Sequence, residues 1–397
     1  LNIKKVYTYC ALKHMMLSNK SIWDVEEVDE WLTPKRRVLS AIYGGRVDRP
    51  AAGSPTNLST LEMMKATNAW FPEAHLDGEK MAKLASASYT MIGFDTISPY
   101  FSVLLEAAAM GLEVKWGKVM PNGDITMPYS SQRQGLYKEP DEVNIPSDFL
   151  ERKPVRALLD AINILHNEYN DVAIVGKAMG PWTLSLHLLG TENTLLMIRL
   201  APKKLMKFME IFAEITMMFA KAQIKEGADL VLIPDHTTGD MVSPETYRKF
   251  VLPFHKEMVK KLPSPCGLHC CGYTIDRMKY FVEARWDFYH FESKNDAFEA
   301  KKVVGNKMSL FGNINNPMTL AFGTSEHVKL EALYALQAGV EMVGPECAIP
   351  TRVKLENLRA IVEVAKKFPN LKDIRLKARH NQNWTPPLKF ESIDARL

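Results

Sequence analysis

Short apolar runs alternate along the chain with longer stretches in which apolar residues recur every three or four positions. The short runs read as strands, roughly Pro50–Ser54, Phe94–Ser98, Val172–Ala178, Asp229–Ile233, Cys266–Cys270, Phe288–Phe291, Met308–Gly312 and Glu341–Val343. Helical patterns lie between most of them, among them Pro202–Glu226, Pro244–Lys261, Thr274–Ala284 and Ser325–Ala338. Strand then helix, eight times over, predicts a parallel sheet, and eight units predict closure into a (β/α)8 TIM barrel. An open doubly wound sheet is the alternative. No Gly-rich dinucleotide or phosphate fingerprint follows the first strand, which counts against it.

The two ends read as extensions of that barrel. Residues 1–33 form an N-terminal extension, with Trp23-Asp24-Val25-Glu26-Glu27 expected to be helical. Thr33-Pro34 marks a helix start, an N-cap residue followed by Pro at the first helical position, and that helix should end near Gly44-Gly45. The barrel occupies 34–368, with a Gly-, Pro-, Ser- and Asn-rich insertion over Val114–Arg152 and a closing helix over Lys354–Phe368. Residues 369–397 form a C-terminal tail in which Asn381–Pro387 reads as extended. Such extensions offer surfaces for a homo-oligomer.

Composition narrows the partners. The 397 residues carry a net charge of +4 with acids and bases intermixed, so no basic stripe suggests nucleic acid. Leu205–Ile224 is rich in Met and Phe, but Lys207, Glu210, Glu214 and Lys221 recur through it. It reads as an amphipathic core helix, and no apolar run is long enough to span a bilayer. The N-terminus shows no signal-peptide apolar stretch. The cysteines are Cys10, Cys266, Cys270, Cys271 and Cys347, an odd and clustered set that is no disulfide framework and fits a reducing cytoplasm.

The chemistry gathers at two strand ends. Strand side chains alternate, so His269 and Cys271 project from the same side of the fifth strand. Cys347 follows the eighth strand, which places all three at the C-terminal face where barrel enzymes work. One His and two Cys suit zinc, and an open fourth position marks a catalytic rather than a structural site. The competing reading is that these are small buried hydrophobes, as free cysteines commonly are. Alternation points Cys270 the other way, as a packing residue. Glu292, one residue past the sixth strand, faces the same rim, or else pairs with Lys294. Asp235 and His236, after the fourth strand, are expected to line the mouth, with His236 equally readable as a satisfied buried histidine. Glu106 lines the cavity or caps a helix, and Asn313 and Asn315 meet a substrate or shape a turn. Tyr100 and His187 receive no role.

The sequence resembles the uroporphyrinogen decarboxylase superfamily, and within it the zinc-dependent methylcobalamin:coenzyme M methyltransferases. The resemblance runs from about Lys35 to Phe368. It is carried by Arg36-Arg37-Val38-Leu39-Ser40-Ala41 with Gly45-Arg46-Val47-Asp48-Arg49-Pro50, and by Pro72-Glu73-Ala74 with Asp77 and Met81-Ala82-Lys83-Leu84. Glu106-Ala107 with Met110-Gly111 and Gly180-Pro181-Trp182-Thr183-Leu184 add to it. The specific stretches are Leu268-His269-Cys270-Cys271-Gly272 and Glu346-Cys347-Ala348-Ile349-Pro350 with Leu355-Glu356-Asn357-Leu358. Where the decarboxylases carry an Arg-containing tetrapyrrole motif, this chain has Ala51-Ala52-Gly53-Ser54-Pro55. It is also longer than that family at both ends, and Cys270 is an extra thiol.

The resemblance implies a barrel enzyme with His269, Cys271 and Cys347 as zinc ligands and Glu292 as an exchangeable fourth. It implies a methyl group moved from a methylated corrinoid, brought by a separate corrinoid protein, to a thiol such as coenzyme M by attack of zinc-activated thiolate on methyl-Co(III). Asp235 would assist catalysis, Asn313 and His236 would face the corrinoid, and Arg49 would meet the sulfonate or else pair with Asp48 or another carboxylate. The alternatives are a corrinoid-dependent methyltransferase with another acceptor or donor, a decarboxylase-like lyase, and a barrel that keeps the fold without chemistry.

Overall fold

The structure is a computed structural model that describes residues 21–263, 265–379 and 389–394; Cys10 and Asn381–Pro387 lie outside them. Eight parallel strands follow one another around a barrel: β1 (Ala51–Ala52), β2 (Thr96–Ile97), β3 (Ala173–Lys177), β4 (Leu230–Pro234), β5 (Cys266–Cys270), β6 (Phe288–Phe291), β7 (Ser309–Ile314) and β8 (Met342–Pro345). The ladder runs β1-β8-β7-β6-β5-β4-β3-β2. The remaining gap between β1 and β2 is closed by the Asp95 N–H on the Ala52 carbonyl at 2.7 Å and by Thr96 Oγ1, which accepts from the Ser54 N–H at 2.9 Å. All eight expected strands are present, and helices cover the outside, so the (β/α)8 barrel stands.

Strand alternation divides the core in two. Ala51, Ala173, Val175, Leu230, Leu232, Phe288, Phe311 and Met342 fill the lumen, with the Phe288 and Phe311 rings stacked at 4.6 Å. Their neighbours Ile174, Val231, Leu268, Tyr289, Leu310 and Val343 face the helices. Truncating either stacked Phe to Ala should cost about 3–5 kcal/mol, because the lumen is close-packed and cannot collapse around the void. The helix Pro34–Ile42 plugs the N-terminal end with Val38, Ala41 and Ile42. It begins as its sequence directs, with Thr33 capping the Arg36 N–H.

Three expectations fail locally. Residues 23–27 are not helical. Asp24, Glu26, Glu27, Asp29 and Glu30 would crowd like charges on one helix, whereas the extended chain lets Glu27 and Glu30 reach Lys366. Trp23 anchors this strap, its Nε1–H donating to Glu326 at 2.6 Å. The segment 244–261 is interrupted by a π turn at Tyr247–Val251 before the helix Leu252–Lys261, where Pro253 lacks an N–H for the preceding turn. The helix after β5 starts only at Met278, because the Thr274 and Ile275 N–H groups are held by Asn295 Oδ1. Beyond the closing helix Leu355–Leu371, β9 (Arg375–Arg379) and β10 (Lys389–Asp394) pair antiparallel, an element the sequence pattern does not announce.

Candidate active site

At the C-terminal ends of β5 and β8, three side chains converge. His269 Nε2 lies 3.1 Å from Cys271 Sγ and 3.4 Å from Cys347 Sγ, and the two sulfurs are 3.5 Å apart. The ligand atoms all lie within 4.8 Å of one another. Parallel pairing sets this up: His269 is in register with His290 on β6, and Asn313 on β7 with Gly344 on β8, so the strand ends finish level. At Gly344 any side chain would collide with the Gly53 carbonyl just past β1.

Proton positions follow from the hydrogen bonds. His269 Nδ1–H donates to the His290 carbonyl at 3.1 Å, leaving Nε2 as a lone-pair donor toward the sulfurs. His290 in turn donates from Nε2 to the Pro345 carbonyl at 2.9 Å, and burial pushes its ring down to about 3, so it stays neutral. The Cys271 hydrogen bond and the neighbouring His269 hold Cys347 well below the usual thiol range, and Cys271, as the donor, is pushed up. An imidazole and two soft sulfurs, with the imidazole's second nitrogen already satisfied, suit zinc, and three protein ligands leave room for another.

Beside Cys347 lies a cavity of about 730 Å³, lined also by Glu292, Asn316 and Glu346 and by Ile125 and Met127. The last two come from an arm whose antiparallel bridges join Lys115 to Tyr129 and Val119 to Ile125. This arm, part of the expected insertion, is tied down by the Arg352–Asp124 ion pair. A hollow of about 820 Å³ at the opposite end, among Tyr43, Arg285 and Lys307, holds no convergent ligands.

The other expected site residues divide. Glu292 lines the cavity beside Cys347 but stands outside the trio. Burial raises its carboxyl, and the Gly272 N–H draws it partly back; Lys294 forms an ion pair with Asp240. The His236 ring sits edge-on to His269 with centroids 6.1 Å apart, and among the described residues its buried Nδ1 has no hydrogen-bond partner. Asn313 takes an inward position on β7 and donates to the Asn295 carbonyl at 3.0 Å. Asn315 shapes a turn, its Oδ1 capping the Met318 and Thr319 N–H groups. Cys270 points outward as expected, its thiol pushed up to about 12 by burial. His187 lines a separate hollow of about 370 Å³ with Arg133 and Gln132.

Three residues are not where the sequence reading puts them. Asp235 does not line the mouth: it is fully buried, with Oδ1 accepting from the Thr183 N–H at 2.7 Å and Oδ2 from His255 Nε2 at 3.0 Å. A Cβ at Gly180 would overlap this carboxylate, which accounts for the glycine before Pro181. Arg49 does not reach the site. It precedes β1, at the N-terminal end of the barrel, and pairs with Asp95 at 2.9 Å and Glu30 at 3.3 Å beside the fully buried Arg37. Glu106 neither lines the cavity nor caps its helix through its side chain. Its carboxylate accepts from the Tyr100 hydroxyl at 2.5 Å and the Met179 N–H at 2.8 Å.

Lys177 and His290 are missing from the sequence reading. Lys177 ends β3, where Ala173 and Val175 face the lumen, so alternation turns it inward as well. A lysine closing an otherwise apolar strand was the available signal. For His290 the signal was its place beside His269 in register.

Comparison with known proteins follows the same outline. A family model described as Uroporphyrinogen decarboxylase (URO-D) matches residues 33–368. A Methylated-thiol–coenzyme M methyltransferase of Methanosarcina mazei is 31% identical over 340 residues, 85% of this chain and 90% of its own. The Methylcobamide:CoM methyltransferase MtaA of Methanosarcina barkeri is 32% identical over 343 residues, 85% of this chain and 98% of its own. A solved structure of a methyltransferase from Methanosarcina mazei superposes with a TM-score of 0.80 at 29% identity, over 85% of this chain and 99% of that one.

Proposed function

The chain belongs to the uroporphyrinogen decarboxylase (URO-D) family, and on that premise we propose that it is a zinc-dependent methyltransferase carrying a methyl group from a methylated corrinoid to the thiol of coenzyme M. The observation that carries this reading is the convergence of His269, Cys271 and Cys347 within 4.8 Å at the catalytic end of the barrel. The similarity to two coenzyme M methyltransferases supports the choice of donor and acceptor.

His269, Cys271 and Cys347 would hold the zinc, with Glu292 as the oxygen ligand that gives way to substrate. Zinc in that site would supply Lewis acidity that lowers the pKa of a thiol substrate. The chain sets the rest. The His290 carbonyl holds the Nδ1–H of His269 and so aims its Nε2 at the sulfurs. Cys271 and Cys347, as thiolates, offset the cation's charge, so the incoming sulfur is polarised weakly and stays nucleophilic. That sulfur attacks the methyl carbon opposite cobalt: the S–C bond forms, the Co–C bond breaks, and its electron pair remains on the corrinoid as Co(I). His236 and Asn313 face the lumen from which the donor is approached. The corrinoid arrives on a separate protein over the mouth formed in part by Ile125 and Met127.

Two sulfurs 3.5 Å apart would be open to oxidation without a metal, which supports a reducing cytoplasmic setting. Among the described residues no helix is long and apolar enough to cross a membrane. A tetrapyrrole decarboxylase is the weaker reading, because Ala51–Pro55 offers no arginine and Arg49 is bound to Asp95.

The test is the visible spectrum of methylcobalamin mixed with coenzyme M and the zinc-loaded protein. Loss of the methylcobalamin band that requires both protein and thiol is expected. An unchanged spectrum contradicts the proposal.

A further inference from the structure

Lys177 is buried and held by no ion pair among the described residues; burial pulls its ammonium down to about 8, and the charges of Cys347, Glu106 and Cys271 draw it only partly back. Its side chain is 4% exposed, and its Nζ lies over the Tyr100 ring, 4.4 Å from the centroid. Among the described residues its ammonium makes no ion pair and no hydrogen bond. Burying an ammonium without an acceptor is costly, and a ring face offsets only part of that cost. The nearby carboxylate does not remove the problem. Glu106 is occupied by the Tyr100 hydroxyl and the Met179 N–H, and burial pushes it up to about 7, so near neutrality it bears only part of a charge.

The position of this ammonium relates it to the trio. Lys177 is inward-facing at the end of β3, with β4 between it and His269 on β5. Cys347, Cys271, His236 and His290 all lie close enough to feel its charge. Other cations nearby are committed: Lys294 pairs with Asp240, and Arg277 with Asp276 and the Thr237 and Val242 carbonyls. Arg49, which the sequence reading offered as the anion partner, is held at the other end of the barrel by Asp95 and Glu30.

We propose that Lys177, propped on the Tyr100 ring, is the subsite for the anionic end of the thiol substrate, so that the ammonium hydrogen-bonds a sulfonate or carboxylate while the sulfur lies at the His269–Cys271–Cys347 trio. The proposal rests on the methyl-transfer reading for the thiol and adds a selection rule: short thiols with an anionic end bind, and neutral thiols of equal length bind far less well. The charged end would give the ammonium the hydrogen-bonding anion that no described side chain supplies.

The experiment is calorimetric titration of zinc-loaded wild type, Lys177→Met and Lys177→Arg with mercaptoethanesulfonate, mercaptopropionate and mercaptoethanol. Wild type should favour the two anionic thiols over mercaptoethanol by about 100-fold, the scale of a charge-assisted hydrogen bond formed out of water. In Lys177→Met that preference should vanish while mercaptoethanol affinity changes by less than about threefold, and Lys177→Arg should recover part of it. Lys177→Met should also melt no lower than wild type, because it removes an unpaired buried charge. A preference that survives in Lys177→Met, or no preference in wild type, overturns the proposal. Equal losses for anionic and neutral thiols overturn it too, since they mark a role in tuning the metal ligands instead. Failure of the parent reading is seen separately: a Lys177-dependent anion preference in a protein that never demethylates methylcobalamin refutes methyl transfer and leaves the subsite in place.

Discussion

His290 ties His269 to Cys347. Its carbonyl takes the Nδ1–H of His269 at 3.1 Å, and its own Nε2–H reaches the Pro345 carbonyl at 2.9 Å, two residues before Cys347. The ring lies 4.7 Å from that of His269. One residue on β6 therefore sets the direction of one proposed ligand, His269, and the end of the strand that precedes another, Cys347. Replacing it with Ala keeps the carbonyl but frees Pro345 and opens space beside His269. His290→Ala should bind zinc about 10-fold more weakly, as such supporting residues generally do, with unchanged stoichiometry. Competition with a chromogenic chelator measures this, and equal affinity would remove His290 from the account.

The adjacent thiols Cys270 and Cys271, at the end of β5 and just past it, should behave oppositely. Cys347→Ala or Cys271→Ala deletes one of the three proposed ligand atoms and should abolish stoichiometric zinc and turnover together. Cys270 points away from the trio toward Thr237 and is buried. Cys270→Ala should keep its zinc and lose only about 1 kcal/mol of stability, as a small buried truncation does. Metal analysis of the three purified variants decides. Retained zinc in Cys347→Ala, or lost zinc in Cys270→Ala, contradicts the ligand assignment.

Glu106 should mark the pH dependence of stability. Burial raises its folded-state value to about 7 from an ordinary 4.5. Below 4.5 both folded and unfolded forms hold the proton, and Glu106 costs nothing. As pH rises from 4.5 to 7 the unfolded chain releases its proton first, so stability falls across that window, by on the order of 3 kcal/mol. Glu106→Gln cannot ionise. The difference in unfolding free energy between wild type and variant should therefore drift in the variant's favour from pH 4.5 to 7. A pH-independent difference in denaturant titrations would show that Glu106 titrates normally.

Asp235 should prove a positioning residue. Its two oxygens hold Thr183 and His255, and the Tyr247 hydroxyl lies 2.9 Å from His255 Nδ1. Asp235→Ala leaves buried donors without acceptors and should cost about 3–5 kcal/mol. Zinc content of the folded protein should remain that of wild type. Loss of turnover with full stability would instead return Asp235 to the reaction.

The sequence carries the barrel and the trio for a simple reason. Both depend on local patterns, the eight apolar runs and the alternation that puts His269 and Cys271 on one side of β5. Cys347 joins them because parallel strands end at one face. What the sequence conceals depends on pairs far apart in the chain. Arg49 looks available until Asp95 and Glu30 close on it, and Asp235 looks exposed until His255 folds over it. The acidic stretch from Asp24 to Glu30 reads as helix until Lys366 supplies its partner. Lys177 is informative for the opposite reason, since among the described residues no distant carboxylate pairs with its ammonium.

The most direct measurement is the zinc X-ray absorption spectrum of the purified protein, taken with and without coenzyme M. With about one zinc per chain, a site of this type should show two sulfur neighbours and a mix of nitrogen and oxygen before the thiol is added. Coenzyme M should raise the sulfur count to three, with an oxygen neighbour leaving. An unchanged sulfur count, or a protein that binds no zinc, would contradict thiol activation at His269, Cys271 and Cys347.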